Sequence, residues 1–420
     1  MPPKRKGQRN NTRKPSEPDA PLPTNNVVVS GAMSDCKLPE DLMLSILTRL
    51  PVKTVRRYKC VCKPWLKLFS TTEFIKMHHE QTAKNPQNHS LIIHSIDEDY
   101  YHNMSLLNVN STAEEPTNLV NPFPVIFKEM DLVGCVNGLV CLSCPPFAQM
   151  IVLWNPALSI WKAIRLPNRG IDESIDRISL GFAYDESKDD YKIVRITIFK
   201  PDGNSPKNFL RAFAEVYSAN LDSWKRVRLS FQFSIIPTRS NVIVKGRPYW
   251  TAIIYDPVKM FREVMLWYDV ENEVFRHVPV PDYNMDCTKG GRFVEWKGSL
   301  AILVYSPTRE RDDFVDVVVY DEGKGRWDTK SCHGPIGLKM ERHMQCSKDG
   351  VILAETPEGT LFLYDPMTNA IKEFRIAEAM KTSYEAFSYT ESLVSLKGME
   401  KVEEQDKDKF CIKMEDLVID

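Results

Sequence analysis

Residues 38–74 follow a helical pattern of apolar positions that proline interrupts at regular points. Pro39, followed by two acids, suits a helix start, and Pro51 ends this first helix. Its apolar residues are spaced to share one face: Leu42, Ile46, Leu47 and Leu50. A second helix spans 52–58, and a third begins at Lys63 with proline again in its first turn. The pattern predicts three short amphipathic helices.

This helical module has more apolar residues than it can bury. The prominent ones are Leu38, Leu42, Ile46, Pro51, Val52, Val55, Val61 and Trp65. Three helices of this length cannot cover all of them among themselves, so some should pack against a partner. On spacing alone, an unrelated three-helix bundle with an entirely internal core is the alternative.

From about residue 90 the pattern changes to short, often alternating apolar runs separated by turn residues, which indicates antiparallel strands. One hairpin recurs at 153–164, 216–227, 267–278, 319–330 and 363–374. In each copy an aromatic residue precedes Asn, Ser or Asp, and a second large residue follows seven positions later. The pairs are Trp154 and Trp161, Tyr217 and Trp224, Tyr268 and Phe275, Tyr320 and Trp327, and Tyr364 and Ile371. We expect the polar side chain to bond the turn backbone while the large residues pack across the strands.

A second apolar hairpin precedes most copies and turns at Asn-Gly, Lys-Gly or Asp-Gly, where glycine supplies the positive φ of a tight turn. Its copies lie at 134–143, 242–253, 294–305 and 346–356. Two hairpins make a four-stranded unit. The opening aromatic residues recur at intervals of 63, 51, 52 and 44 residues, close to the length of a propeller blade. We interpret 202–208 as an insertion in the longest interval.

A degenerate earlier copy at 102–110 brings the count to six units. In a closed ring, the first and last segments often complete one blade together. The sequence therefore predicts an all-β propeller with six blades, and five or seven blades are the alternatives. A β-sandwich also alternates strands and turns, but it has no need of the same hairpin five times.

The composition of the chain indicates a charged segment at each end. The chain has 420 residues, 43% of them hydrophobic, and a formal net charge of -1, which suits more than one domain. We expect residues 1–34 to form a disordered basic tail and 397–420 a charged mobile tail.

No apolar run is long enough for a bilayer, no secretory signal is evident, and ten scattered cysteines indicate reduced thiols. We expect a soluble protein of the nucleus, the cytoplasm or both, without membrane attachment.

Positive charge is concentrated on the helical module. Between positions 42 and 72 there are seven bases and no acid: Arg49, Lys53, Arg56, Arg57, Lys59, Lys63 and Lys67. Such a patch speeds association with an acidic surface and weakens as salt rises. We expect an acidic protein partner, with a solvated basic face as the alternative. Nucleic acid is not expected as a partner, because no aromatic residue interleaves with the bases of the N-terminal tail.

The sequence offers few residues for catalysis or metal binding. Two cysteines and two histidines fall within fifteen residues: Cys332, His333, His343 and Cys346. Since adjacent residues of a strand point to opposite faces, we expect no metal site there. Cys141 and Cys144 lack a second pair and are interpreted as buried thiols. No phosphate-binding loop, dinucleotide motif or nucleophile elbow occurs, so we expect neither a catalytic residue nor a cofactor.

The residue pattern of positions 38–74 resembles the F-box, and in particular its plant form. The pattern is LPxDLxxxILxRLPVKTxxRxxxVCKxWxxLxxxxxF. The resemblance implies that the module, residues 36–82, binds the Skp-type adaptor of a cullin RING ubiquitin ligase, the SCF complex. It places at or beside this contact Leu38, Pro39, Leu42, Ile46, Leu50, Pro51, Val52, Lys53, Val55, Cys62, Lys63 and Trp65. Which of them face inward and which contact the adaptor stays open at this point.

Residues 90–396 resemble the F-box-associated, kelch-like interaction domain of plant proteins. The similarity lies in VNGLVCLS, LWNPALSIWKAIRLP, GFAYDESKDDYKIVRI and YTESLVSL, whereas the paired glycines of true kelch repeats are missing apart from Gly290 and Gly291. Together the two resemblances imply a non-catalytic substrate-recognition subunit of an SCF ligase. Its partners would be the adaptor, cullin through the adaptor, and a protein substrate of unknown identity. A scaffold outside a full ligase and a propeller enzyme are the alternatives.

Overall fold

The computed structural model describes residues 39–97, 102–110, 116–119, 130–144, 150–166, 175–200, 212–235, 242–256, 260–281, 291–307, 313–340, 342–374, 376 and 379–401. A helical module comes first, with helices α1 (Glu40–Leu47), α2 (Val52–Tyr58), α3 (Lys63–Leu68) and α4 (Thr72–Lys84). The three helices predicted from the proline pattern are present. Helix α4 is a fourth that the sequence analysis did not separate from them.

The local sequence explains where these helices begin. Pro39 and Pro51 precede α1 and α2, and a proline occupies the first turn of α3. Helix α4 begins after Thr71, whose Oγ1 accepts a hydrogen bond from the backbone N–H of Phe74 at 3.2 Å. Each short helix therefore has its own start signal, which keeps the four helices separate.

The expectation that the apolar residues of α1 share one face was wrong for Leu47. Leu47 is buried, whereas Leu42 and Ile46 remain about half exposed. Leu42 and Ile46 are one helical turn apart, but Leu47 lies about 100° further around the helix. Helix α1 therefore presents one apolar stripe to the interior of the module and another to solvent.

Antiparallel strands follow the helices. They are β1 (Ser90–Asp97), β2 (His102–Asn108), β3 (Thr117–Asn118), β4 (Asp131–Val136), β5 (Leu139–Cys144), β6 (Met150–Asn155), β7 (Ile160–Ile164), β8 (Ile175–Asp185), β9 (Asp190–Phe199), β10 (Ala212–Ser218), β11 (Ser223–Val227), β12 (Phe233–Ile235), β13 (Val242–Val244), β14 (Arg247–Asp256), β15 (Met260–Asp269), β16 (Val274–Pro279), β17 (Gly291–Trp296), β18 (Ser299–Pro307), β19 (Asp313–Asp321), β20 (Arg326–His333), β21 (Arg342–Cys346), β22 (Ile352–Glu355), β23 (Leu361–Asp365), β24 (Ala370–Phe374), β25 (Ala379–Tyr389) and β26 (Glu400–Lys401).

These strands form six sheets arranged as the blades of a propeller. From the centre outward, the first blade is β4-β5-β6-β7, the second β8-β9-β10-β11, the fourth β17-β18-β19-β20 and the fifth β21-β22-β23-β24. In the third blade, β12 and β13 both pair with β14, and β15 and β16 follow. The sixth blade joins the two ends of the domain in the order β25-β1-β2-β3. The predicted six-bladed ring, closed by its first and last segments, is confirmed.

The five repeated hairpins all join the third and fourth strands of a blade. In each, the two large residues face each other in register, as Tyr217 and Trp224 do. The polar side chain after the first aromatic accepts a hydrogen bond from a turn N–H at 2.9–3.2 Å in every copy. The predicted turn chemistry is therefore confirmed, and it fixes the register of the outer strand pair.

A sixth copy of this hairpin was missed by the sequence analysis. Tyr184 and Tyr191 have the same spacing, face each other in register, and have ring centroids 4.8 Å apart. Their hairpin joins the first and second strands of the second blade, β8 and β9, rather than its outer strands. The degenerate copy at 102–110 contains β2, which is the third strand of the sixth blade. The proposed insertion at 202–208 lies outside the described residues.

Candidate functional site

The interior of the helical module uses only some of its apolar side chains. Its buried members are Leu47, Val52, Val55, Leu68, Phe69 and Phe74, together with Leu393 from far along the chain. Leu50 and Trp65 pack against this core and are partly buried. Two of the residues predicted at the adaptor contact, Val52 and Val55, therefore point into the module and support it from inside.

Four large apolar side chains of the module remain exposed to solvent. Leu42, Ile46, Val61 and Leu66 keep between 47% and 64% of their surface accessible. Other predicted contact residues are also exposed: Pro39, Pro51, Lys53, Cys62 and Lys63. Leu38 lies outside the described residues. The sequence analysis missed Leu66, although its spacing of one helical turn from Cys62 was available as a signal.

The bases of the module lie mostly on its surface. Six of the seven are exposed, and burial, followed by the charge of Arg56, lowers the pKa of the seventh, Lys59. Among the residues that the structure describes, none of the seven forms an ion pair with a carboxylate. With Glu40 and Asp41 as the exposed acids of α1, the exposed surface of α1 to α3 combines apolar side chains with an excess of positive charge, a composition suited to an acidic protein surface.

The module is held on the propeller by a segment that we call the C-terminal strap, residues 390–399. Leu393 of the strap is fully buried in the core of the module. Asn155, from a repeated hairpin of the first blade, donates hydrogen bonds from Nδ2 to the backbone oxygens of Ser392 at 3.1 Å and Val394 at 2.8 Å. Beyond the strap, β26 pairs with β7 at the outer edge of the first blade. The strap thus links the sixth blade, the helical module and the first blade.

Further contacts fix the side of the propeller on which the module lies. Arg56 donates from Nη1 to the backbone oxygen of Ala157 at 3.0 Å, and Lys76 Nζ lies 3.4 Å from Asp189 Oδ1. These partners belong to turns between the third and fourth strands and between the first and second strands of blades. We call this side the docked face. We call the opposite side the distal face. There the second strand of each blade ends and the third begins.

A cavity of about 810 Å³ lies between α4 and the inner turns of the propeller on the docked face. Burial, followed by the charge of Lys348, lowers the pKa of His79 to about 4, so this imidazole is neutral near pH 7. Burial raises the pKa of the Cys135 thiol to about 12 and also raises the pKa of Glu295. A buried thiol of this kind is not an activated nucleophile.

No group of three or more His, Cys, Asp or Glu residues in the described part of the chain is placed to hold a metal ion. Cys332 is exposed on β20, where a hydrogen bond with Asp316, followed by burial, raises the pKa of its thiol. Cys346 is buried, and the side chain of His343 lies outside the described residues. None of the helices described here is long and apolar enough to cross a bilayer.

Comparison with known families agrees with this two-part architecture. Residues 36–77 match the F-box domain, and residues 91–311 match the F-box associated beta propeller domain. The chain belongs to the F-box associated beta propeller family. Its helical module is the F-box, and the family suggested by the sequence motifs is confirmed. The F-box match ends inside α4, so this helix connects the F-box to the propeller.

Relatives of this F-box protein span nearly its whole length. The F-box/kelch-repeat protein At3g23880 of Arabidopsis thaliana is 27% identical over 372 residues, covering 85% of this chain and 95% of the relative. The Arabidopsis thaliana F-box protein At3g07870 is 24% identical over 386 residues, covering 83% and 89%. These relatives fit a substrate-recognition adaptor role for the chain.

Among solved structures, dipeptidyl peptidase 4 of Porphyromonas gingivalis matches with a TM-score of 0.34 and 8% identity over 68% of this chain and 44% of that one. AztD of Citrobacter koseri matches with a TM-score of 0.33 and 10% identity, covering 73% and 99%. Structural similarity with TM-scores this low supports no inference about activity.

Proposed function

We propose that this F-box protein is the substrate-recognition subunit of an SCF-type ubiquitin ligase. The F-box would bind a Skp-type adaptor and, through it, cullin, while the propeller would hold a protein substrate for ubiquitination and degradation. The observation that carries the proposal is the exposed apolar stripe of α1, Leu42 and Ile46, on a module whose interior is already filled by other residues. The proposed subunit would contribute by bringing the substrate close to the ligase rather than by catalysis.

The exposed surface has the properties of a protein contact. Covering a half-exposed leucine or isoleucine side chain removes apolar area from water and favours association by about 1 kcal/mol per residue. The six exposed bases add long-range attraction toward an acidic partner, which raises the association rate more than the final affinity. Apolar side chains would therefore hold the adaptor, and the bases would guide its approach.

The attachment of the F-box to the propeller supports the second half of the proposal. Because Leu393 fills the F-box core and Asn155 holds the strap, the two parts meet through buried contacts rather than a free linker. The F-box covers part of the docked face, which leaves the distal face for a substrate. A substrate bound there would be kept at a set distance from the adaptor, as transfer to its lysines requires.

Exchanging Leu42 and Ile46 for aspartate should weaken binding to a purified Skp-type adaptor by about 100-fold, because two apolar contacts are lost and two charges are desolvated. Isothermal titration calorimetry measures this directly. The matched control is the double variant Leu221→Asp and Met367→Asp, which places the same change at two side chains of the propeller turns that are 76% exposed. Unchanged affinity in the F-box variant would contradict the proposed adaptor contact.

A further inference from the structure

The cavity on the docked face is enclosed by three parts of the chain, and we call it the docked-face cavity. Helix α4 contributes Ile75 and His79, and the C-terminal strap contributes Thr390 and Leu396. Most of the remaining wall comes from turns between the first and second strands of four blades. All of these elements belong to the described ranges. A volume of about 810 Å³ is of the size that small-molecule sites have in proteins.

Two lysines bring positive charge to this cavity. Lys245 and Lys348 belong to the turns of the third and fifth blades, and both line the cavity. Burial raises the pKa of Glu295, another lining residue, and the charges of Lys348 and Lys245 oppose this rise. Burial also causes most of the pKa shifts of His79 and Cys135, and the charge of Lys348 acts on both groups. The ammonium group of Lys348 therefore lies near three side chains of the cavity wall.

The positive charge of these two lysines is not neutralised within the cavity. Neither lysine forms an ion pair with a carboxylate of the described residues. They act together on one carboxyl group, that of Glu295, whose ionisation is disfavoured by burial. Asp189 of the same wall is paired with Lys76 at 3.4 Å, and the other lining acids, Glu80 and Glu186, are exposed. The part of the cavity near Glu295 therefore favours a negatively charged group.

The rest of the wall suits the body of an organic molecule. Thr390 is 3% exposed, and its Oγ1 has no hydrogen-bond partner among the described residues. Because an unpaired buried hydroxyl is costly, this group should bond to whatever fills the cavity. Apolar side chains make up much of the remaining surface: Ile75, Val136, Ile243, Phe387, Val394 and Leu396. Apolar walls with a few converging polar groups are typical of small-molecule sites.

We propose that the docked-face cavity binds a small organic anion that has an apolar body. The anionic group would pair with Lys245 and Lys348, and the apolar body would lie against Ile75 and Phe387. A polar atom of the ligand would bond the hydroxyl of Thr390. Since α4 and the strap form two of the walls, a bound ligand would also hold the F-box more firmly on the propeller. Such binding goes beyond the proposed function and does not depend on the adaptor contact.

Two fluorescent probes with the same aromatic body test this assignment. Anilinonaphthalene sulfonate is an anion, whereas phenylnaphthylamine lacks the sulfonate and is neutral. Fluorescence titration of the full-length chain measures the dissociation constant of each probe. Lys245→Gln and Lys348→Gln should each raise the dissociation constant of the anionic probe by about ten-fold, because one charge-assisted contact is lost. Both variants should bind the neutral probe as the wild type does.

The matched control is Lys297→Gln. Lys297 occupies the equivalent turn of the fourth blade and precedes a glycine, as Lys245 does. The two lysines also share a backbone conformation, with φ angles of 48° and 50°. Lys297 does not line the docked-face cavity. Its exchange removes the same charge from the same kind of turn and should leave the affinity for the anionic probe unchanged.

Four results would overturn the inference: no binding of the anionic probe by the wild type, unchanged affinity in both cavity variants, an equal loss in Lys297→Gln, or an equal loss for the neutral probe. Thermal unfolding of all four proteins checks the fold, which should be intact because Lys245 and Lys348 are exposed. The two cavity variants lie on different blades, so either one alone still decides the question. Unchanged adaptor affinity in both would keep this result separate from the proposed function.

Discussion

Replacing Leu393 with alanine should destabilise the F-box by about 2–5 kcal/mol, even though the residue lies more than three hundred positions after it. Leu393 is fully buried among the six internal side chains of the module. Truncation would leave a cavity in a core that is already small, and a small core has little stability to lose. The attachment of the F-box to the propeller should therefore become weaker.

Hydrogen exchange followed by mass spectrometry measures this effect by region. Amides of 40–84 should lose protection in Leu393→Ala, while amides of β14–β19 keep theirs. The matched control is Leu396→Ala in the same strap, because Leu396 packs against the propeller core rather than the F-box core. Equal protection of 40–84 in both variants would show that the strap does not hold the F-box.

Exchanging Asp185 for asparagine should cost about 3–5 kcal/mol in the free energy of unfolding at neutral pH. Asp185 is fully buried and accepts a hydrogen bond from Lys192 Nζ at 2.9 Å. Lys192 is also buried and donates to the backbone oxygen of Val270 at 3.2 Å, which joins the second blade to the third. The exchange would leave the ammonium of Lys192 buried without a counter-charge.

Urea unfolding at neutral pH measures this cost against a matched control. Lys188 also contacts Asp185, at 3.4 Å, but its side chain is 53% exposed. Lys188→Ala should therefore change the free energy of unfolding by less than about 1 kcal/mol. Similar losses in the two variants would contradict the importance of burial for the Asp185–Lys192 pair.

The Asp185–Lys192 pair should also make part of the free energy of unfolding depend on pH. Burial would raise the pKa of Asp185, but hydrogen bonds from Ser187 and Lys192, with the charge of Lys192, outweigh it and lower this pKa to about 2. Because the folded pKa lies below the unfolded one, the stabilisation of about 2 kcal/mol is present above about pH 4 and is lost toward pH 2. Wild type should lose more stability over this range than Asp185→Asn, and parallel pH profiles would contradict this.

Much of the propeller was predictable because its information is local. An aromatic residue, a short polar residue and a second large residue at fixed spacing specify both a turn and a register, as Asp269 shows by bonding the N–H of Asn272. The Tyr184 hairpin carries the same local signal, although the sequence analysis did not count it. Because its local chemistry is that of the outer hairpins, the sequence does not show that it joins the inner strands of its blade.

The candidate site was less predictable, because it depends on contacts between distant segments. Spacing could not show that Val52 and Val55 face inward while Leu42 and Ile46 face solvent, since each helix is short and apolar on more than one side. Leu393 belongs to a stretch in which the sequence shows only a family motif.

The central claim is that the exposed stripe of the F-box joins this chain to a cullin ligase. Affinity purification of the tagged full-length chain from plant cells, with cullin and the Skp-type adaptor quantified by mass spectrometry, tests it most directly. The account predicts that both co-purify with the wild type and that both are lost in the Leu42→Asp, Ile46→Asp variant. Adaptor and cullin retained by that variant, or cullin absent from the wild-type purification, would contradict it.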